Sequence, residues 1–210
     1  HFDVVDNELA LAGRLVELRT PHKRYPDVFV PLHGRHQADN AVVALTAAES
    51  FFGAPLSDDV VNAAFANVRM PGRFEVVGYQ PLVILDGAHN AAGADVCAQV
   101  FFDDFDPVGR RMLVVGALSG RDVGETLAAL RADDFDVVIC ATAPSPRAVP
   151  GDSVAAAARA LGCDDVSTVA TVEQACDRAL ADATAEDAVL IAGSLYVVGS
   201  ARAHLRRVLP

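Results

Sequence analysis

The sequence predicts an α/β protein: a mostly parallel sheet flanked by helices, preceded by a smaller region of short strands and two helices. Three observations predict it. Apolar runs without alternation, such as Leu82-Val83-Ile84-Leu85 and Val137-Val138-Ile139-Cys140, read as strands buried on both faces. Stretches of about ten residues with helical apolar stripes separate these runs, as βαβ units require. Pro71-Gly72 lies between two differently patterned regions and marks a domain boundary or hinge, dividing residues 1–69 from 70–210.

Taken in order, residues 1 to about 32 read as short strands: Phe2-Asp3-Val4-Val5, Leu15-Val16-Glu17-Leu18 and Val28-Phe29-Val30-Pro31-Leu32. Gly13, Pro21, Tyr25 and Pro26 are expected in the turns between them. From His36 to Phe52 the period becomes helical, with Ala41, Leu45, Ala48 and Phe52 on one stripe, and Gly53 and Pro55 stop it. Ser57-Asp58-Asp59 signals a capped second helix carrying Val60, Ala64 and Val68. Beyond Arg73 the strand candidates are 74–78, 82–85, 112–115, 137–140, 166–169 and 189–192. The helix candidates are 91–102, 122–131, 152–161, 172–182 and 195–207.

Composition narrows the partners. The 210-residue chain carries a net charge of −11, from 28 acids against 17 bases, and has no basic run, which argues against a nucleic-acid surface or an anionic membrane. No apolar run approaches the ~18 residues a membrane span needs, and no signal-peptide pattern opens the chain. The four cysteines, Cys97, Cys140, Cys163 and Cys176, form no zinc or CxxC spacing, so no metal site is expected from them and a reducing cytoplasm fits. A phosphorylated small molecule remains compatible, because helix N-termini and single arginines hold phosphate locally.

The candidate site follows from where the strands end. Strand 82–85 runs into Asp86-Gly87-Ala88-His89-Asn90, strand 112–115 into Gly116-Ala117-Leu118-Ser119-Gly120-Arg121-Asp122, strand 137–140 into Ala141-Thr142-Ala143-Pro144-Ser145-Pro146-Arg147, and strand 189–192 into Gly193-Ser194-Leu195-Tyr196. In a parallel sheet these loops share one edge, so Asp86, His89, Arg121, Arg147 and Ser194 are expected to converge on one crevice. A carboxylate, an imidazole and two guanidiniums suit phosphate and carboxylate groups. Each residue also has a plainer reading. Asn90 and Ser194 are natural N-caps, and a lone histidine beside a helix start serves as scaffolding about as often as chemistry. Neither GxGxxG nor GxxxxGK[ST] nor a GxSxG elbow occurs. In the first region Gln37 and Asn40, three apart, share a helix face; an amide there can pair with an adenine-like edge or simply be solvated.

Four segments then occur in one order: Pro31-Leu32-His33-Gly34-Arg35-His36-Gln37-Ala38-Asp39-Asn40-Ala41, Pro71-Gly72-Arg73-Phe74-Glu75, Leu85-Asp86-Gly87-Ala88-His89-Asn90, and Gly193-Ser194-Leu195-Tyr196-Val197-Val198-Gly199. Together they resemble the folylpolyglutamate synthase and bifunctional dihydrofolate synthase branch of the Mur ligase superfamily, over essentially the whole chain. The resemblance implies the end of a central ATP-binding domain followed by a Rossmann-like C-terminal domain. It implies an ATP-dependent amide ligase in which a folate carboxylate is phosphorylated and the acyl phosphate is attacked by L-glutamate. Carried over by position, Asn40 meets adenine, Arg73 the ATP phosphates and Asp86 the ribose, while His89 and Ser194 lie near the acyl phosphate and the incoming glutamate. ATP and Mg²⁺ are the implied cofactors, with the phosphate loop and metal ligands expected upstream of His1. The implied partners are therefore small molecules only, the protein is expected to be a monomer, and this portion is expected to be inactive alone. Two positions depart from the pattern. Ala91 stands where a proline is usual, and Arg121 lies in a loop that often carries a lysine. A Mur-type ligase acting on a peptidoglycan precursor, or a non-catalytic nucleotide-binding module, are the alternatives.

Overall fold

The computed structural model describes residues 1–209; Pro210, the last residue of the expected second domain, lies outside them. The chain forms two compact units, His1–Pro71 and a second from Gly72 onward.

The first unit is a three-stranded antiparallel sheet, β1 (Asp3–Ala10), β2 (Gly13–Arg19) and β3 (Arg24–Val30), with helices α1 (His36–Phe52) and α2 (Asp58–Ala66). Val16, Leu18, Tyr25, Val28 and Val30 of the sheet pack with Ala41, Val42, Leu45 and Val61 of the helices. Several expectations need correction here. β1 runs well past Val5, because an exposed strand shows no apolar run to announce its length. Gly13 begins β2 rather than lying in a turn, and the tight turn falls on Leu11-Ala12, with Ala12 at φ 60°. Tyr25 and Pro26 lie inside β3. Pro26 is tolerated because β3 is an edge strand, and the register slips there, between the Val16–Val28 and Leu18–Tyr25 pairs. On α1 the buried face is Gln37, Ala38, Ala41, Val42, Leu45 and Glu49, leaving Phe52 exposed. On α2 it is Val61 rather than Val60 that is buried, and the helix ends at Ala66.

The second unit is a six-stranded sheet in the order β4-β5-β9-β6-β7-β8. Its strands are β4 (Glu75–Tyr79), β5 (Leu82–Leu85), β6 (Arg111–Val115), β7 (Val137–Ala141), β8 (Val166–Val169) and β9 (Ala188–Ala192). Only β4 is antiparallel, paired to β5; every other pairing is parallel. The intervening helices are α3 (Ala91–Gln99), α4 (Val123–Ala129), α5 (Gly151–Ala160), α6 (Val172–Asp182) and α7 (Leu195–Val208).

The sheet separates two cores, which is why its strands read as continuous apolar runs. Ile84, Leu113, Val138 and Leu190 point to the side carrying α3, α4 and α5. Val83, Leu85, Met112, Ile139 and Ile191 point to the side carrying α6 and α7. The helix expected over 91–102 is interrupted: α3 stops at Gln99 and a π-helical segment, Val100–Phe105, continues it. The wider turn lets Phe101 stack on Phe135 (ring centroids 5.2 Å) while Phe105 reaches Phe74 at the same separation.

This topology fixes where a site can be. The chain winds from β5 past β9 to β6 and onward to β8, then returns to insert β9 between β5 and β6. The winding reverses at that insertion, and the carboxyl ends of β5, β9 and β6 open onto a crevice.

Candidate functional site

At that crevice the structure contains a cavity of about 250 Å³, lined among others by His89, Arg121, Thr126, Arg147, Ser194 and Tyr196. Four of the five residues expected to converge are therefore together. Asp86 is not among the lining residues.

The loops that carry the two arginines are held to each other. Leu118 and Ala148 form an antiparallel bridge, Ser119 N–H donates to the Arg147 carbonyl at 2.7 Å, and Val149 N–H donates to the Ala117 carbonyl at 2.9 Å. The backbone is thus fixed while both guanidiniums remain exposed, and among the described residues neither makes an ion pair. Two free guanidiniums on a tied pair of loops present bidentate donors and positive charge at the cavity edge.

Ser194 is 1% exposed, and its Oγ accepts the Val197 N–H at 3.1 Å. It is the N-cap of α7, so the helix begins at the cavity wall with its positive end toward the contents. The residue before it, Gly193, adopts φ 110° and its N–H donates to the Ala88 carbonyl at 3.0 Å. A Cβ there would collide with the Gly116 carbonyl, so only glycine lets the ends of β9 and β6 come this close.

His89 is half-buried. Its Nδ1 lies 2.8 Å from the Gly87 carbonyl oxygen, which can only accept, so Nδ1 carries the proton. In the neutral ring Nε2 is left with a free lone pair. The next residue, Asn90, caps α3 through its Oδ1, which accepts the Gly93 N–H at 2.8 Å.

Asp86 works against the backbone. Oδ2 accepts the Phe74 N–H at 2.8 Å and Oδ1 the Ala88 N–H at 2.7 Å. Burial pushes its carboxyl above the ordinary range; the two N–H bonds and the nearby Arg73 guanidinium and His89 imidazole pull the other way. Each oxygen keeps one acceptor direction for another donor. Arg73 is exposed, on the turn that Asp86 ties down. In the first unit Asn40 is exposed on α1, and its Nδ2 donates to Gln37 Oε1 at 3.1 Å.

Tyr196 and Thr126 had no sequence signal. Tyr196 lies within the Gly193–Tyr196 loop, where only Ser194 suggests a role. Among the described residues no group of three or more His, Cys, Asp or Glu stands ready to hold a metal ion.

An open sheet covered on both faces, with an arginine-edged cavity at the strand ends, defines an α/β domain with a ligand-sized crevice where its winding reverses. Residues 72–195, more than half of the chain, match the family model described as Mur ligase, glutamate ligase domain. The chain belongs to the Mur ligase family. It is 38% identical over 221 residues to the dihydrofolate synthase/folylpolyglutamate synthase of Mycobacterium tuberculosis, an alignment covering 96% of this chain and 45% of that protein. A crystal structure of the folylpolyglutamate synthase of that organism complexed with ADP and AMPPCP superposes with a TM-score of 0.88 at 38% identity, over 97% of this chain and 48% of that one. A crystal structure of a bifunctional folylpolyglutamate synthase/dihydrofolate synthase with Mn, AMPPNP and L-glutamate bound superposes with a TM-score of 0.74 at 29% identity, over 96% of this chain and 46% of that one. The chain spans about half the length of the relatives it matches.

Proposed function

We propose that this chain is the rear portion of an ATP-dependent ligase that joins L-glutamate to the carboxylate of a folate or of dihydropteroate. In this reading residues 1–69 complete the ATP-binding domain and residues 70–210 form the glutamate-ligase domain. The observation that carries it is the cavity: an imidazole with an open lone pair, two unpaired guanidiniums and a helix N-terminus face one space of amino-acid size. The names of the relatives and their bound nucleotides and glutamate point the same way.

The chemistry assigns each group a task. A carboxylate oxygen of the pterin substrate attacks the γ-phosphorus of ATP, and ADP leaves. The glutamate amine then attacks the acyl carbon and inorganic phosphate leaves. Arg121 and Arg147 hold the carboxylates of glutamate, which places its amine deep in the cavity. His89 Nε2 accepts the proton that the ammonium must lose before it can attack. The N-terminus of α7, capped by Ser194, offsets charge building on the acyl phosphate. Asn40 meets the adenine, Arg73 the phosphates and Asp86 a ribose hydroxyl. The four cysteines are buried free thiols, which supports a reducing cytoplasm as the setting.

The test is phosphate release by the full-length protein with ATP and Mg²⁺, offering dihydropteroate and a reduced folate separately, with and without L-glutamate. Glutamate-dependent release is expected with at least one pterin. His89→Ala should lower kcat by roughly 10²-fold or more, the usual worth of a general base. Release indifferent to glutamate with both pterins would sink the reading.

A further inference from the structure

We propose that the Glu75–Arg202 ion pair positions Arg73, which makes Arg202, far away in sequence on the last helix, a positioning residue for the phosphate-binding guanidinium. The proposal rests on the reading of Arg73 given above and extends it to two residues with no assigned role.

Arg73 has no hydrogen bond or ion pair of its own among the described residues, so its place is inherited from the backbone that carries it. That backbone is an unusual turn. Gly72 adopts φ 71° and Phe74, which is not a glycine, adopts φ 46°, a conformation that costs of order 1 kcal/mol and persists only where neighbours enforce it. Three hydrogen bonds enforce it here. Gly72 N–H donates to Glu75 Oε2 at 2.9 Å, Gly87 N–H donates to the Gly72 carbonyl at 2.8 Å, and Phe74 N–H donates to Asp86 Oδ2. Two of these acceptors or donors belong to the rigid end of β5. The third, the Glu75 carboxylate, is a flexible side chain on an edge strand and cannot anchor a turn unless it is held.

Arg202 holds it. Its Nε lies 2.9 Å from Glu75 Oε1 and 2.8 Å from Oε2, and both side chains are only 23% exposed, so the pair is partly shielded from solvent. The same helix touches the turn a second time. Val198, one helical turn before Arg202 on the same face, lies so close that a Cβ on Gly72 would come within 2.7 Å of its Cγ1. An ion pair serving only to fasten α7 to the sheet has no need to share its carboxylate with the backbone N–H next to Arg73. Helix α7 also begins at the cavity with Ser194 and Tyr196, so one rigid element sets both the cavity wall and the turn.

The experiment uses the full-length protein and steady-state kinetics with ATP and L-glutamate varied separately. Arg202→Met keeps the aliphatic stem and removes the charge. It should lower kcat/KM for ATP roughly ten- to a hundred-fold, the scale of a misplaced contact, with KM for L-glutamate little changed. Arg202→Lys should recover part of the loss. Arg73→Ala combined with Arg202→Met should be no worse than Arg73→Ala alone, because the clamp acts only through Arg73. Should Arg202→Met fail to fold, Glu75→Gln, which keeps an acceptor for Gly72 N–H, carries the same cycle. Full ATP kinetics in the clamp variant, or losses that add to that of Arg73→Ala, would overturn the positioning role while leaving the Arg73 reading intact. An Arg73→Ala enzyme with unchanged ATP kinetics would overturn both.

Discussion

Single carboxylates in this fold do opposite work according to which groups meet them. Asp86 and Asp187 each accept two backbone N–H groups, yet burial wins at Asp86 and raises its pKa, whereas hydrogen bonding wins at Asp187. Asp187 gathers more donors than Asp86, from Thr184 and from both the backbone and the guanidinium of Arg110. Asp187 Oδ1 accepts the Arg110 N–H at 2.8 Å, while Oδ2 accepts the Thr184 N–H at 2.8 Å and the Arg110 guanidinium at 2.9 Å. Burial pushes this carboxyl up, but those bonds outweigh it and hold it at about 2, against an ordinary 3.8. A depressed folded-state pKa stabilises the fold fully above the unfolded value, and that stabilisation is lost as pH falls through about 2. Asp187→Asn should therefore cost about 2 kcal/mol at neutral pH and progressively less toward about pH 2. Urea unfolding of both proteins at neutral and acid pH measures it; an equal difference at both would reject the linkage. Asp187 ties β9 to β6 at the end opposite the cavity, and nothing in Glu186-Asp187-Ala188 announces this. The sequence shows which residues are charged, but not which backbone donors a fold will turn toward them.

At the scale of elements, legibility tracked burial. The strands of the second unit were readable because burial on both faces makes them uniformly apolar, and their ends could be read as one edge once parallel pairing was inferred. His89, Arg121, Arg147 and Ser194 were found that way. β1 is longer than its sequence suggests because its residues are largely exposed or half-buried and carry no pattern. The π-helical segment was invisible because it arises from the packing of Phe101, Phe102 and Phe105 against residues distant in sequence. Glu49 could not be guessed as a buried member of α1; it is kept there by the Tyr25 hydroxyl, which donates to its carboxylate. The junction of β6 and β9 offers a direct test. Gly193→Ala places a methyl against the Gly116 carbonyl at φ 110° and should cost at least about 3 kcal/mol, splaying the strand ends that frame the cavity. Gly120 also has positive φ, 93°, but open space around it, so Gly120→Ala should cost only about 1 kcal/mol of backbone strain. Thermal unfolding of the two variants separates collision from strain, and equal losses would show that the close approach is not what requires Gly193.

At the scale of the molecule, the hydrophobic clusters divide as the chain does. Every buried residue of the two clusters flanking the six-stranded sheet lies between Phe74 and Leu205, and every one of the third lies between Val16 and Val61. The second unit therefore owns two complete cores, with helices on both faces of its sheet, and that suffices for a domain of its size to fold alone. The cavity is likewise built entirely from residues beyond Gly72. Residues 72–210 expressed alone should unfold in one cooperative step, monitored by circular dichroism in urea, with the slope expected for about 140 residues. The thiols give a second readout. Burial raises Cys97 and pushes Cys140 and Cys176 up to about 12, so at neutral pH they stay protonated and shielded until the sheet opens. Alkylation of Cys97, Cys140 and Cys176 should then follow the same urea midpoint as the circular dichroism. Ready labelling in water, or a broad transition without a midpoint, would mean that the second unit depends on the first for its packing.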